Sequence, residues 1–418
     1  MKTDKTARRA SAASRATVNV SRRRFLKGSL AAAGAGLLPN LMFSGSAEAA
    51  GSANNVVIVV HLDGGCDGIN TVIPFTDPAY AAARPTLAIA AANVLPITGT
   101  LGLHPALTGL KTLYDQGKVA VVPGVGYPNF NRSHFAAEDI YWTGDPASAP
   151  STGWLGRSLD VINSGTVMTG IYIGSATPLS MVGDTVSVPA IPSASSYTFQ
   201  SGGNAADDTA VFSAAAQVLA QPPSGMAMVD GVLTADRALS DSIGQVQAAA
   251  TYQTAVNYAN DNFSRSMKFA AQLIHANIGV RIISTSFGSF DTHSGQTARL
   301  NTLLGNLSDG IGSFQQDALA GGFANRVAVV FWSEFGRRVA ENASGGTDHG
   351  TSLPIIVVGE GVKGGVIGNY PSLTNLTSGD LLMGVDFRSV YASVLSNWLA
   401  VNDSQVLGAS WTKLPIFL

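Results

Sequence analysis

Val56-Val57-Ile58-Val59-Val60-His61-Leu62 is a run of β-branched and apolar residues, broken in this stretch only by His61, and it ends in Asp63-Gly64-Gly65-Cys66-Asp67-Gly68. A strand with no alternation of polar residues suits burial on both faces of a parallel sheet. A glycine-rich turn with carboxylates at the carboxyl end of such a strand is where open α/β sheets place their ligands.

The same grammar recurs downstream. Residues 105 to 117 read as a helix, Val119-Ala120-Val121-Val122-Pro123 as a second buried strand, and Ala136 to Tyr141 as a helix following Asn131-Arg132-Ser133-His134-Phe135. Residues 151 to 205 are rich in Ser, Thr, Gly, Pro and Val, with short strand-like pieces. From about 205 to 278 the pattern becomes long, helical and Ala- and Gln-rich, which predicts a helical insertion or cap. Alternation then returns, with strands expected at 280 to 287, 327 to 332 and 354 to 358, and helices at 296 to 319 and 387 to 400. The expectation is one α/β domain over 50 to 418, with a central mostly parallel sheet flanked by helices. No repeat of fixed period interrupts it.

Ahead of this domain lies Ser21-Arg22-Arg23-Arg24-Phe25-Leu26-Lys27, a twin-arginine signal, followed by an Ala- and Gly-rich apolar stretch from Gly28 to Phe43. Ala47-Glu48-Ala49 offers small residues at the positions a signal peptidase reads, so cleavage is expected near Ala49. An uncleaved anchor is the competing reading of that stretch. The Tat translocase and a signal peptidase are thus expected export partners, with the mature chain in the periplasm or secreted and no stable membrane span after cleavage.

Residues 1 to 49 hold nine of the 25 Lys and Arg and two of the 27 Asp and Glu, leaving 16 against 25, a net of −9. An acidic, lightly charged chain is a poor partner for nucleic acid. Cys66 is the single cysteine, which excludes a disulfide within the chain. No dinucleotide fingerprint or haem attachment motif points to redox chemistry.

Chemistry concentrates where strands end. Asp63, Phe290-Asp291-Thr292-His293, Ser333-Glu334-Phe335-Gly336-Arg337 and Thr347-Asp348-His349-Gly350 each lie just after or before an expected strand. Each Asp-x-His or Asp-His pair alone fits a hydrogen-bonded turn equally well. If folding brings Asp63, Asp291 and Glu334 together with His293 and His349, their crowding needs a divalent cation. Mixed carboxylate and imidazole donors suit zinc or manganese, with calcium or magnesium the harder alternatives.

Those motifs, with Asn131-Arg132-Ser133-His134-Phe135 and Gly153-Trp154-Leu155-Gly156-Arg157, resemble the bacterial family of domain of unknown function 1501 from Val56 to Leu399. That family is grouped with the alkaline phosphatase and sulfatase superfamily, so the resemblance implies an alkaline-phosphatase-like sheet and a two-metal site. It implies metal ligation by Asp63, Asp291, His293, Glu334, Asp348 and His349. By the same resemblance Ser133 is the candidate nucleophile, although it equally suits the cap of its helix. Arg132 and Arg337 would clamp an anion, or else form structural ion pairs, and His134 would contact substrate or replace a missing ligand.

The function implied is an exported metal-dependent hydrolase or transferase of phosphate or sulfate esters, acting on an anionic small molecule or polymer. Three departures oppose it: Phe335 stands where an imidazole is expected, Asp291 and His293 are unusually close in sequence, and Cys66 lacks the context of a formylglycine sulfatase. They favour the alternative, a non-catalytic exported binding or cell-envelope protein that keeps the fold.

Overall fold

A computed structural model describes residues 52–147, 150–162, 165–198, 205–222, 225–254 and 256–418. The twin-arginine segment and its cleavage site lie outside these residues.

Eight strands form the central sheet: β1 Val56–Asp63, β2 Val119–Gly126, β3 Gly170–Ile173, β4 Ile282–Gly288, β5 Val327–Trp332, β6 Leu353–Val358, β7 Gly365–Val366 and β8 Val385–Asp386. Their spatial order is β7-β2-β6-β5-β1-β4-β3, with β8 also pairing β2. β1 lies at the centre, parallel to β4 and β5 and in register from Val57↔Ile282 to Asp63↔Gly288. β6 runs antiparallel to both β2 and β5. Because β6 alone is reversed, its amino end lies at the edge where the other strands finish. The segment preceding it therefore joins the loops that follow β1, β2, β4 and β5.

Helices cover both faces. The longer helices are α1 Thr108–Asp115, α2 His134–Thr143, α3 Trp154–Ile162, α4 Ala205–Leu219, α5 Ala227–Ala250, α6 Asn262–His275, α7 Gln296–Ala320 and α8 Phe387–Ser393. Alternate residues of the buried strands feed two cores. Val56, Ile58, Val60 and Leu62 pack with Leu110 of α1, Phe263 of α6 and Leu304 of α7. Val57 and Val59 pack with Tyr141 of α2, Trp154 of α3 and Tyr391 of α8. His61 and Asp63 continue the second parity, which aims them at the face that α2 covers.

Three expectations are corrected in detail. The 151 to 205 stretch carries the regular helix α3, whose Trp154, Leu155 and Leu159 are buried. The closing helix stops being α-helical at Ser393 and continues as a π turn over Val394–Trp398. α2 begins at His134, two residues earlier than its apolar pattern suggests.

Candidate metal centre

Glu334 is the hub. The turn after β5 carries it into full burial, where its carboxylate accepts from four donors. Oε1 accepts from the Gly64 amide at 2.9 Å and from His134 Nδ1 at 2.6 Å. Oε2 accepts from His61 Nε2 at 3.0 Å and from the Ser333 hydroxyl at 2.9 Å. Burial alone would raise the Glu334 pKa, but the bonds from His134 and His61 hold it well below the usual carboxylate range.

Around this hub stands an acidic cluster of His61, Asp63, Glu138 and Glu334, whose ligand atoms lie within 4.8 Å of one another. His61 is buried and stacks on Trp332 with ring centroids 4.3 Å apart. Burial lowers its pKa, yet the Glu334 hydrogen bond and charge leave it raised overall. Burial pushes the Glu138 carboxyl up to about 7, with Glu334 and Asp63 adding repulsion against the opposing pull of His61. Three carboxylates beside one another are thus tolerated only through protons or another positive charge.

A second cluster adjoins the first through His134. His134 Nε2 faces Asp291 Oδ2 at 3.8 Å, and His134, Asp291 and His349 present ligand atoms within 4.8 Å of one another. His293 joins them: its Nε2 is 3.1 Å from Asp291 Oδ1 and 2.9 Å from His349 Nε2. His349 Nε2 is itself 3.3 Å from Asp291 Oδ1.

The far side of each ring decides what these nitrogens can do. His349 Nδ1 donates to the Arg132 carbonyl at 2.8 Å, and His293 Nδ1 to Asp348 Oδ1 at 3.3 Å. A ring that carries its proton on Nδ1 alone turns the lone pair of Nε2 toward its neighbour and toward a carboxylate oxygen. Burial, aided by the charge of Arg337, lowers the His349 pKa and favours that neutral form. Lone pairs crowded in this way repel unless a cation lies among them. A four-coordinate ion with bonds of about 2.0 to 2.1 Å holds its donors about 3.3 Å apart, close to the spacings seen. Imidazoles whose outer nitrogens are tied to carbonyl or carboxylate are also the usual arrangement around a metal.

The loops are held from behind. Gly64 has a φ of +110°, and a Cβ there would lie 2.5 Å from the Asp291 amide nitrogen, so only glycine admits this approach of the β1 and β4 loops. The Phe290 amide donates to the Asp63 carbonyl at 2.7 Å. Buried Gln296 accepts from Thr292 and Thr347 and donates to Asp67, itself paired with buried Arg84.

Several expected roles change. Asp348 was expected as a ligand, but it stands behind His293, accepting from it and from Asn342 at 3.1 Å. Arg337 was expected to clamp an anion. Its guanidinium is instead buried, donating to the Gly65 and Thr347 carbonyls at 2.6 and 2.8 Å and to Asp291 at 2.7 Å. Arg132 pairs with buried Asp380. Arg337 takes the structural ion-pair alternative, whereas Arg132 pairs through Nη2 and leaves its Nε without a partner among the described residues. His134 is in the donor set. Ser133 is exposed and makes no side-chain capping bond, its amide being satisfied by Asn131 Oδ1 at 2.8 Å. Phe335 packs its ring 4.8 Å from that of His134 and 4.6 Å from that of His349. Cys66 is buried, its thiol pushed up to about 12 by burial.

His61 and Glu138 were not anticipated as site residues. The signals were present: His61 shares strand parity with Asp63, and Glu138 follows His134 by one helical turn, an i to i+4 spacing that puts both on one face.

The family model described as protein of unknown function (DUF1501) matches residues 90–408. The chain belongs to this family. A twin-arginine translocation signal matches residues 19–39, so this DUF1501 protein is exported to the periplasm or beyond. No helix among the described residues is long and apolar enough to cross a membrane. No curated protein matches the sequence.

Among solved structures, the chain is similar at 9% identity to the C-terminal periplasmic domain of EptC from Escherichia coli, in complex with Zn, with 73% of each chain covered and a TM-score of 0.36. It is similar at 11% to the lipoteichoic acid synthase LtaP from Listeria monocytogenes, covering 86% of this chain and 80% of that one with a TM-score of 0.35. A protein in the alkaline phosphatase superfamily from Vibrio parahaemolyticus is also 11% identical, covering 91% and 78% with a TM-score of 0.35.

Proposed function

We propose that this exported protein is a metal-dependent hydrolase or transferase of phosphate or sulfate esters. One observation carries the reading: His134, His293 and His349 turn Nε2 toward Asp291 while Glu334, Asp348 and the Arg132 carbonyl hold the opposite nitrogens. His134, Asp291 and His349 would hold one divalent cation, with His293 beside Asp291 and His349 as a further donor; His61, Asp63, Glu138 and Glu334 offer a second, more acidic set. A bound divalent cation supplies Lewis acidity toward an ester oxygen and lowers the pKa of a coordinated hydroxyl.

The chain's own residues do the rest. Ser133 precedes His134 directly and opens α2 with its hydroxyl uncommitted to the helix, so it is available as the nucleophile. Arg337 fixes the Asp291 carboxylate, and Glu334 orients His61 and His134 together. Ser133→Ala is expected to abolish turnover of an aryl phosphate or aryl sulfate by the mature protein. Unchanged turnover in that variant would remove Ser133 from the mechanism.

One observation favours the non-catalytic alternative: the Arg337 guanidinium is fully buried and committed to the Gly64, Gly65 and Thr347 carbonyls and to Asp291, so it offers no open fork to an anion. Under that reading the wild-type protein keeps its cation yet turns over neither aryl ester.

A further inference from the structure

A cavity of about 270 Å³ opens beside the donor cluster. Its walls include Tyr127, Phe130, Phe335, Leu381 and Met383, with Ser352 among them. Two of its boundaries belong to the centre itself. Phe335 lines the cavity and lies against the His134 and His349 rings, and Tyr127 to Asn131 form the segment that leads directly into Ser133 and His134. Gly65 makes room for this wall: a Cβ there would lie 2.3 Å from the Phe335 ring.

The polar groups of the lining are partly committed already. The Tyr127 hydroxyl accepts from the Asn131 amide at 3.0 Å, and the Thr351 hydroxyl donates to the Leu381 carbonyl at 2.6 Å. Ser352 differs. Its hydroxyl is buried at the cavity with no hydrogen-bond partner among the described residues, and such groups are normally satisfied. Aromatic and aliphatic walls, with Ser352 inside and Asn129, Asn131 and Thr377 also in the lining, describe a subsite for an apolar moiety with a polar edge. A sugar, with hydroxyls on every side, would leave most of them unpaired here. The volume is ample for a ring, since an apolar cavity of about 150 Å³ already holds benzene.

We infer that this cavity receives the aryl or alkyl part of the substrate, with the Ser352 hydroxyl bonding its polar edge, while the anionic group lies at the neighbouring donor cluster. The substrate class is then an ester of an apolar alcohol or phenol, not a carbohydrate ester; the inference rests on the ester-hydrolase reading above.

Calorimetric titration of the metal-loaded mature chain with non-hydrolysable probes tests it. The probes are inorganic phosphate, methylphosphonate and phenylphosphonate, with methyl- and phenylsulfonate as the sulfur counterparts. Phenyl probes are expected to bind at least tenfold more tightly than methyl probes. Met383→Trp and Leu382→Trp, at positions 39% and 40% exposed and so tolerant of bulk, should each shrink that preference by filling the mouth while leaving inorganic phosphate binding unchanged. Equal binding of phenyl and methyl probes, or a preference untouched by both variants, overturns the inference while the ester reading stands. Failure of every anion to bind overturns both.

Discussion

Arg337 shows how far a residue's role depends on what surrounds it. From sequence it is a guanidinium beside a glycine-rich turn; in the fold it bonds the carbonyls of Gly64, Gly65 and Thr347 as well as Asp291. A lysine could keep the charge but not the planar fork that reaches these acceptors at once. Arg337→Lys is therefore expected to destabilise the metal-free protein by about 1 to 3 kcal/mol in urea titration, with the unsatisfied carbonyls as the cause. A variant as stable as the wild type would show that those bonds matter little. Burial holds Asp291 up and Arg337 holds it down, with the latter prevailing, so the same substitution should also raise the Asp291 pKa.

Helix α2 is the element that turns two separate clusters into one site. Its first residue gives His134 to Glu334 and Asp291, and one turn later Glu138 enters the acidic cluster with His61 and Asp63. Because Glu138 titrates near 7 in the fold against an ordinary 4.5, the folded metal-free state holds its proton more tightly than the unfolded chain does. Its contribution to stability is present below pH 4.5 and is lost as pH rises through 7. The loss is on the order of 1 to 3 kcal/mol after allowance for solvent at a half-buried group. Glu138→Gln should remove that loss, making the metal-free variant more stable than the wild type at pH 8 and less stabilised by added zinc or manganese. Superimposable pH profiles for the two proteins would contradict this. Neither Glu138 nor His61 stood out beforehand, for physical reasons. A carboxylate on a helix reads as a solvated face, and a histidine inside an apolar strand reads as core, until the neighbouring layer is known.

At the scale of the whole molecule, the parts legible in sequence are those governed by periodicity. Val327 to Trp332 is a strand as its unbroken apolar run indicates, and α7 occupies 296 to 320 where its pattern runs from 296 to 319. Strand direction is not encoded in that signal. The reversal of β6 decides that His349 reaches the edge shared by Asp63, Asp291 and Glu334, and it arises from pairing between segments far apart in the chain. The candidate site was readable as loops rich in Asp, Glu and His at strand ends. The division into ligand and supporting residue was not, because it depends on which ring nitrogen meets which acceptor. Asp348 and His349 are adjacent in sequence, yet one supports His293 and the other faces it.

If folding converges these imidazoles and carboxylates into a cation site, the ion should travel with the protein. Elemental analysis by mass spectrometry of protein purified from its native periplasm tests this most directly, with wild type and His349→Ala compared side by side. At least one tightly held divalent ion per wild-type chain is expected, reduced in the variant; a folded wild-type protein carrying no such ion would rule the cation site out.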